Sequence, residues 1–414
     1  MLSHNDLILF FLQLSVMLAC ALLFGHLMRK IHQPVVLGEL IGGLVLGPTI
    51  LGALFPVGYN WLFPATENLL LAQDTVIKLG MLFFMFVAGL EVNLNHLQQR
   101  AGSTILTSVL GIVIPFGLGF GAVWLWPELW GGYAEDDQLL FGFFIGAALS
   151  ISALPVIART LSDLGLLNHQ LGIIVMAAAT INDLIGWSLF ALILGSLSPA
   201  HAQPHSVWLT LPLVAVFVVL TLAIGRWFGR RGIAWVQIHL SWPGNFITII
   251  AIIVLAAAAA AEVIGVHAFL GAFLVGVGMQ QNVDKPHQVY KAIEQIAVNF
   301  LAPIYFVSIG LRANFAVNFD WPLVLVVTSV ATIGKVVGAG GGAWLSGMPF
   351  KSALAIGFGL NARGAMEIIL ASVALEYGLI DQRIFVALVV MALITSMLSG
   401  PVIRGLLNKE SFPG

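Results

Sequence analysis

Residues 174–194 read IVMAAATINDLIGWSLFALIL, an apolar run broken near its middle by Asn182 and Asp183. The hydrophobic segment around it, about residues 168–196, is long enough to cross a bilayer, which takes ~20 apolar residues. A carboxylate at bilayer depth costs at least ~2.5 kcal/mol on insertion scales, so it usually faces a protein or water-filled interior and acts on ions or protons. The stretch therefore sets two expectations together: a polytopic all-α membrane fold, and a site centred on Asp183.

Composition supports the first. Of 414 residues, 59% are hydrophobic, 9% are charged and 44 are glycine, and the mean hydropathy is +1.01. A soluble domain carries about 25% charged residues. The net charge of −2 and the lack of a basic stripe give no reason to expect nucleic acid. A single cysteine, Cys20, excludes an internal disulfide framework and a cysteine-clustered metal site. The opening MLSHNDLILFF lacks the basic region of a cleaved signal peptide, so the first apolar segment is expected to be retained as a helix.

The span rule counts thirteen segments, of which 266–281 is short: about 6–29, 34–54, 73–92, 103–126, 138–163, 168–196, 207–229, 244–262, 266–281, 294–312, 322–346, 351–377 and 383–408. They form one domain without a visible linker. With the N-terminus outside, one set of loops and the C-terminal tail hold Arg29, Lys30, Arg100, Arg159, Arg226, Arg230, Arg231, Lys285, Lys291, Lys351, Arg404 and Lys409. The other side holds Arg312 and Arg383, the acidic run Glu135-Asp136-Asp137, and Trp61, Trp126 and Trp130 as interfacial aromatics. The positive-inside rule then places the C-terminus in the cytoplasm.

The chain repeats itself. FVAGLEVN at 86–93 returns as FVSIGLRAN at 306–314, LGELIGGLVLG at 37–47 as LGAFLVGVG at 270–278, and IGAALSISALPVIA at 145–158 as IGFGLNARGAMEII at 356–369. Each offset is seven spans. An odd offset inverts the topology of the second copy, and inverted repeats mark secondary transporters with alternating access. The halves are repeat 1, about 6–196, a linker helix at about 207–229, and repeat 2, about 244–408.

Two spans are interrupted at matching places. In ALSISALPVIARTLSDLGLL (148–167), Ser150, Ser152 and Pro155 sit mid-span, and proline removes a backbone donor. In GFGLNARGAMEIILASVALEYGLI (357–380), Asn361, Arg363 and Gly364 take the corresponding position. Such broken pairs point to the binding site of inverted-repeat transporters; a kink made only for packing is the plainer alternative. Asp183 can hold a monovalent cation as a carboxylate or a proton as an acid, with Asn182, Ser150, Ser152 and Thr180 as further oxygen ligands. Lys335, more than a dozen residues into its span, is too deep to snorkel and is expected to pair with Asp183 or another buried acid, as ligand partner or as a structural ion pair. Glu367 follows Arg363 by one helical turn, so those two are also expected to pair.

The remaining polar residues read as interfacial or core. Glu39, Glu91 and Glu262 lie near span ends, Lys78 can snorkel, and His26, His32 and His267 have no ligand spacing. The glycines at 42–43 and 338–342 read as close helix packing.

Taken together, ALSISALPVIARTLSDLGLL, ATINDLIGW and GLNARGAMEI resemble the monovalent cation:proton antiporter-2 family, above all the plant cation/H+ exchangers and their bacterial relatives. The resemblance covers essentially the whole chain. It implies an NhaA-type fold of thirteen helices, divided into a dimerisation panel and a mobile core and assembled as a homodimer in the bacterial inner membrane. It places the ion-binding aspartate on Asp183, the variable residue before it on Asn182 and the core lysine on Lys335. The unwound crossing falls on Ser150–Pro155 and Asn361–Gly364. No cofactor is implied beyond transported K+ or Na+ and H+, and no enzyme chemistry. Electrogenic members carry Asp-Asp where this chain has Asn182-Asp183, so electroneutral exchange is expected. Kef-type relatives append a nucleotide-binding domain after the last span; the sequence shows none, leaving gating to a separate regulatory subunit. A sodium-coupled organic-anion symporter of the same architecture and an ion-regulated channel or sensor remain alternative functions.

Overall fold

A computed structural model of the chain describes all residues except 1–2, 32, 92–100, 132–137, 168, 198–206, 233–234, 236–237, 240–243, 265–266, 281–286 and 408–414. Every regular element among the described residues is helical. The first half contains α1 (His4–Lys30), α2 (Val35–Leu46), α3 (Leu51–Leu54), α4 (Pro56–Leu62), α5 (Glu67–Glu91), α6 (Ala101–Leu125), α7 (Pro127–Trp130), α8 (Gln138–Ser150), α9 (Leu154–Asp163) and α10 (Gln170–Leu197). There follow α11 (Val207–Trp227), α12 (Gly244–Ile264), α13 (Ala268–Gln280), α14 (His287–Ile296), α15 (Ala302–Arg312), α16 (Trp321–Lys335), α17 (Gly341–Leu345), α18 (Phe350–Leu360), α19 (Ala365–Glu376) and α20 (Gln382–Leu406). Among the described residues, 8 helical stretches are long and apolar enough to cross a membrane. The exposed faces suit an apolar surrounding: along α16, Leu325 and Ile333 are 59% and 56% exposed while Lys335 is 0% exposed.

Two π-helical segments join neighbouring helices without a break, Ala297–Leu301 between α14 and α15, and Val336–Gly340 between α16 and α17. Such wide turns are uncommon and frequently accompany functional positions. The second begins directly after Lys335.

The chain divides into two compact units. The first comprises Met1–Met28, Gly38–Asn93 and Leu194–Asn314. Its helices meet through glycine. A Cβ on Gly38 would overlap the Phe24 carbonyl of α1, one on Gly43 the Val307 carbonyl of α15, one on Gly271 the Ala257 carbonyl of α12, and one on Gly276 the Phe86 carbonyl of α5. These contacts bring backbones together, which is how membrane helices gain packing without a hydrophobic driving force. One residue of this unit departs from the sequence reading. Glu39 is buried, only 5% exposed, where an interfacial carboxylate was expected. It lies one turn before Gly43, whose face of α2 meets the Val307 carbonyl of α15. Lys78 does reach solvent, and pairs with Asp74 at 2.9 Å, which also accepts from Arg312 at 3.1 Å.

The second unit comprises Arg29–Leu37, Leu94–Ile193 and Phe315–Gly414. Here α6 packs on α8, α16 and the π segment that follows. Gly334 faces Pro115 so closely that a Cβ would stand 2.7 Å from the proline Cα, and one on Gly342 would stand 2.6 Å from the Leu106 carbonyl. The glycine run at 338–342 thus packs a helix, as read. Trp130 departs from the interfacial role expected of it: it is fully buried, and its Nε1 donates to the Ala122 carbonyl at 3.2 Å because the short α7 folds back onto α6.

Candidate ion site

Both interrupted spans of the second unit are broken, and the breaks touch. Residues 151–153 separate α8 from α9, and residues 361–364 separate α18 from α19. The first break falls slightly earlier than Pro155 suggested. Leu154 already opens α9, and Pro155 occupies the first turn, where a missing N–H costs no helical bond. The side chains of Pro155 and Asp183 lie outside the described residues; the backbone of Asp183 is helical within α10.

The crossing is tied by backbone groups that the breaks release. Ala153 N donates to the Ala362 carbonyl at 3.0 Å, and Ser152 Oγ to the Leu360 carbonyl at 2.7 Å. Ser150 Oγ turns back onto the Ala147 carbonyl at 2.9 Å. Both serines and Thr180 are buried. The serine protons are thus spent on carbonyls, leaving oxygen lone pairs as what they offer a cation.

Arg363 holds the centre. Its guanidinium is fully buried and donates to the Ala148 carbonyl at 2.9 Å, the Ile151 carbonyl at 3.1 Å and the Leu149 carbonyl. Ala148 and Leu149 are in the last turn of α8 and Ile151 follows it, carbonyls without a helical donor, and a cation at a helix C-terminus is favourable. The same nitrogen pairs with Glu367 at 3.2 Å, as the spacing of one turn predicted. Glu367 stands in the first turn of α19, where the helix dipole favours an anion. One ion pair therefore bridges two opposed helix ends, while Arg363 Nε is left without a hydrogen-bond partner among the described residues. The Arg363 carbonyl accepts from Ser396 Oγ of α20.

Lys335 is treated differently. Fully buried, its Nζ donates to the Gly111 carbonyl at 2.9 Å. That carbonyl is free because the residue four positions on is Pro115, which has no N–H to return to it. Asn182 supplies a second partner. In the amide orientation that satisfies both ends, Nδ2 donates to the Ala178 carbonyl at 3.1 Å and Oδ1 accepts from Lys335 Nζ at 3.0 Å. The structure thus brings Lys335 to the residue beside Asp183. Asn361, the first residue of the second break, donates from Nδ2 to Thr332 Oγ1 at 3.3 Å.

Sequence reasoning missed Pro115, Gly111, Thr332 and Ser396. A proline inside an apolar span, four residues after a glycine, was a readable sign of a freed carbonyl; a serine in α20 carried no such sign. Among the described residues no cluster of three or more His, Cys, Asp or Glu side chains could hold a metal ion.

The chain matches the sodium/hydrogen exchanger transmembrane family over residues 15–409. It is 31% identical over 401 residues to Cation/H(+) antiporter 18 of Arabidopsis thaliana, across 95% of this chain and 48% of that protein. It is also 31% identical over 405 residues to the Na(+)/H(+) antiporter NhaS4 of Synechocystis, across 96% of this chain and 97% of that protein. The chain spans about half the length of the plant relatives it matches. The structure of the sodium proton antiporter MjNhaP1 from Methanocaldococcus jannaschii shares its fold, with a TM-score of 0.68 at 15% identity, over 98% of this chain and 100% of that one.

Proposed function

As the chain belongs to the sodium/hydrogen exchanger transmembrane family, we propose that it exchanges a monovalent cation, K+ or Na+, for a proton by alternating access, with Asp183 binding one or the other. The observation that carries this reading is the contact of Lys335 with Asn182. The position that would hold a second carboxylate is a neutral amide, already engaged as an acceptor of the lysine. Asp183 is then the lone proton-exchanging carboxyl of the pair. A cation arriving at it displaces one proton, and a proton displaces one cation. If the empty site does not cross, that competition alone couples the two flows. Lys335 donates to the Gly111 carbonyl and to the amide. Ser150, Ser152 and Thr180 supply neutral oxygens to the cation, and the Arg363–Glu367 pair fixes the crossing without joining the exchange.

The glycine contacts of the first unit support the inverted repeat. Gly38 on Phe24 and Gly271 on Ala257 share one offset, since 271 − 38 and 257 − 24 are both 233. Gly43 and Gly276 keep that offset and meet Gly310 and Gly89, the matching glycines of the other repeated motif. We further propose thirteen spans, a homodimer in the bacterial plasma membrane, an outside N-terminus and a cytoplasmic C-terminus. The first unit would serve as panel and the second as moving core.

One-for-one exchange moves no net charge. In proteoliposomes at fixed ion gradients, clamping the membrane potential is expected to leave the rate unchanged. A rate that follows the clamped potential would remove the electroneutral stoichiometry while leaving antiport intact.

A further inference from the structure

Three polar side chains, Thr328, Thr332 and Lys335, recur at i, i+4 and i+7 along α16, whose sequence WPLVLVVTSVATIGK is otherwise almost wholly apolar. That spacing places them on one helix face. At one end the lysine reaches Gly111 and Asn182. Beside the middle member stands Asn361, 2% exposed, its amide nitrogen on Thr332 Oγ1. Two oxygens of this lane, Asn361 Oδ1 and Thr328 Oγ1, are buried with no hydrogen-bond partner among the described residues. A buried acceptor left unsatisfied costs about 1–3 kcal/mol. Two of them, on a face leading to the proposed ion site, mark oxygens whose partner is a ligand rather than the protein.

All three oxygens are neutral. They suit a hard cation, yet carry no charge to hold it tightly, and passage requires sites weak enough to leave. They also bind no proton at physiological pH, unlike Asp183. We propose that Asn361 Oδ1 with the Thr328 and Thr332 hydroxyls forms a second, uncharged oxygen site, which takes a partly hydrated monovalent cation on its way to or from Asp183 and ranks one cation against another. This deepens the antiport reading and rests on it. Exchange of hydration water for these oxygens occurs before the cation meets the proton, so the site sets cation preference without setting the pH response.

The test uses Thr328→Val, which keeps the shape and removes the hydroxyl, Asn361→Ala, and Thr328→Ser as the rescue. In proteoliposomes at fixed pH, Thr328→Val and Asn361→Ala are expected to raise the apparent KM for the transported cation about tenfold, the loss of one oxygen contact. They should also reorder Na+, K+ and Rb+, leave the pH of half-maximal activity in place, and Thr328→Ser should restore both KM and order. If both variants keep wild-type KM and cation order within about twofold, the second site is wrong although antiport stands. If the wild type itself moves no protons on cation addition, antiport is wrong. The site is then judged by thermal stabilisation of the purified protein: a rise in Tm with Na+, K+ or Rb+ that both variants lose upholds it, and no rise in the wild type overturns it. Should Asn361→Ala not fold, Thr328→Val and its serine rescue decide alone.

Discussion

Replacing Arg363 by methionine keeps much of the side chain's volume while removing its charge and all five N–H donors. The side chain is fully buried and serves four partners: the carbonyls of Ala148, Leu149 and Ile151, and the carboxylate of Glu367. The variant leaves Glu367, itself 1% exposed, as an uncompensated buried acid and returns three helix-end carbonyls to an apolar interior. Breaking a buried pair from one side costs about 3–5 kcal/mol. At roughly 2–4 °C per kcal/mol for a large domain, the Tm of the detergent-purified protein should fall by on the order of 10 °C. Glu367→Gln is the matched control. Arg363 then keeps its three carbonyls and an amide oxygen in place of the carboxylate, so the loss should be clearly smaller. A melting temperature of Arg363→Met within about 2 °C of wild type, or a larger loss in Glu367→Gln, would refute the assignment of Arg363 as the clamp of the crossing.

Two further outcomes follow from the contact of α6 with α16. Pro115→Ala restores an N–H that competes with Lys335 for the Gly111 carbonyl; the helix gains about 3 kcal/mol of propensity, so Tm should rise while transport falls. Increased stability with unchanged transport would show that the lysine does not need that carbonyl. Gly334→Ala sets a Cβ 2.7 Å from the Pro115 Cα. Overpacking of this kind costs about 1–3 kcal/mol, so Tm should drop by several degrees, and a wild-type Tm would mean the two helices are not in backbone contact.

The crossing was legible because its residues break helix rules openly. Serines and a proline at 150–155, and Asn-Ala-Arg-Gly at 361–364, stand inside segments that otherwise read as continuous spans. Two buried cations were also visible as such, but not their difference. Arg363 and Lys335 look equally costly in a sequence, and only the structure separates a guanidinium that clamps three carbonyls and a carboxylate from a lysine that donates to the Gly111 carbonyl and the Asn182 amide. Glu39 and Trp130 went astray for a related reason. Position near a span end gives depth along one helix and says nothing of what covers it: Glu39 shares the face of α2 whose Gly43 meets α15, and Trp130 meets α6 through the fold-back of α7. Thr332 and Ser396 carried no sign at all, since lone hydroxyls in membrane helices usually bond their own backbone.

Asp183 bears the central claim, and proton release from proteoliposomes on addition of Na+ or K+, followed with a pH dye, tests it most directly. The wild type should release protons in response to at least one of the two cations. Asp183→Asn, expressed to the same level and melting at a similar temperature, should release none. Cation-driven proton release by Asp183→Asn at the wild-type rate would contradict the account.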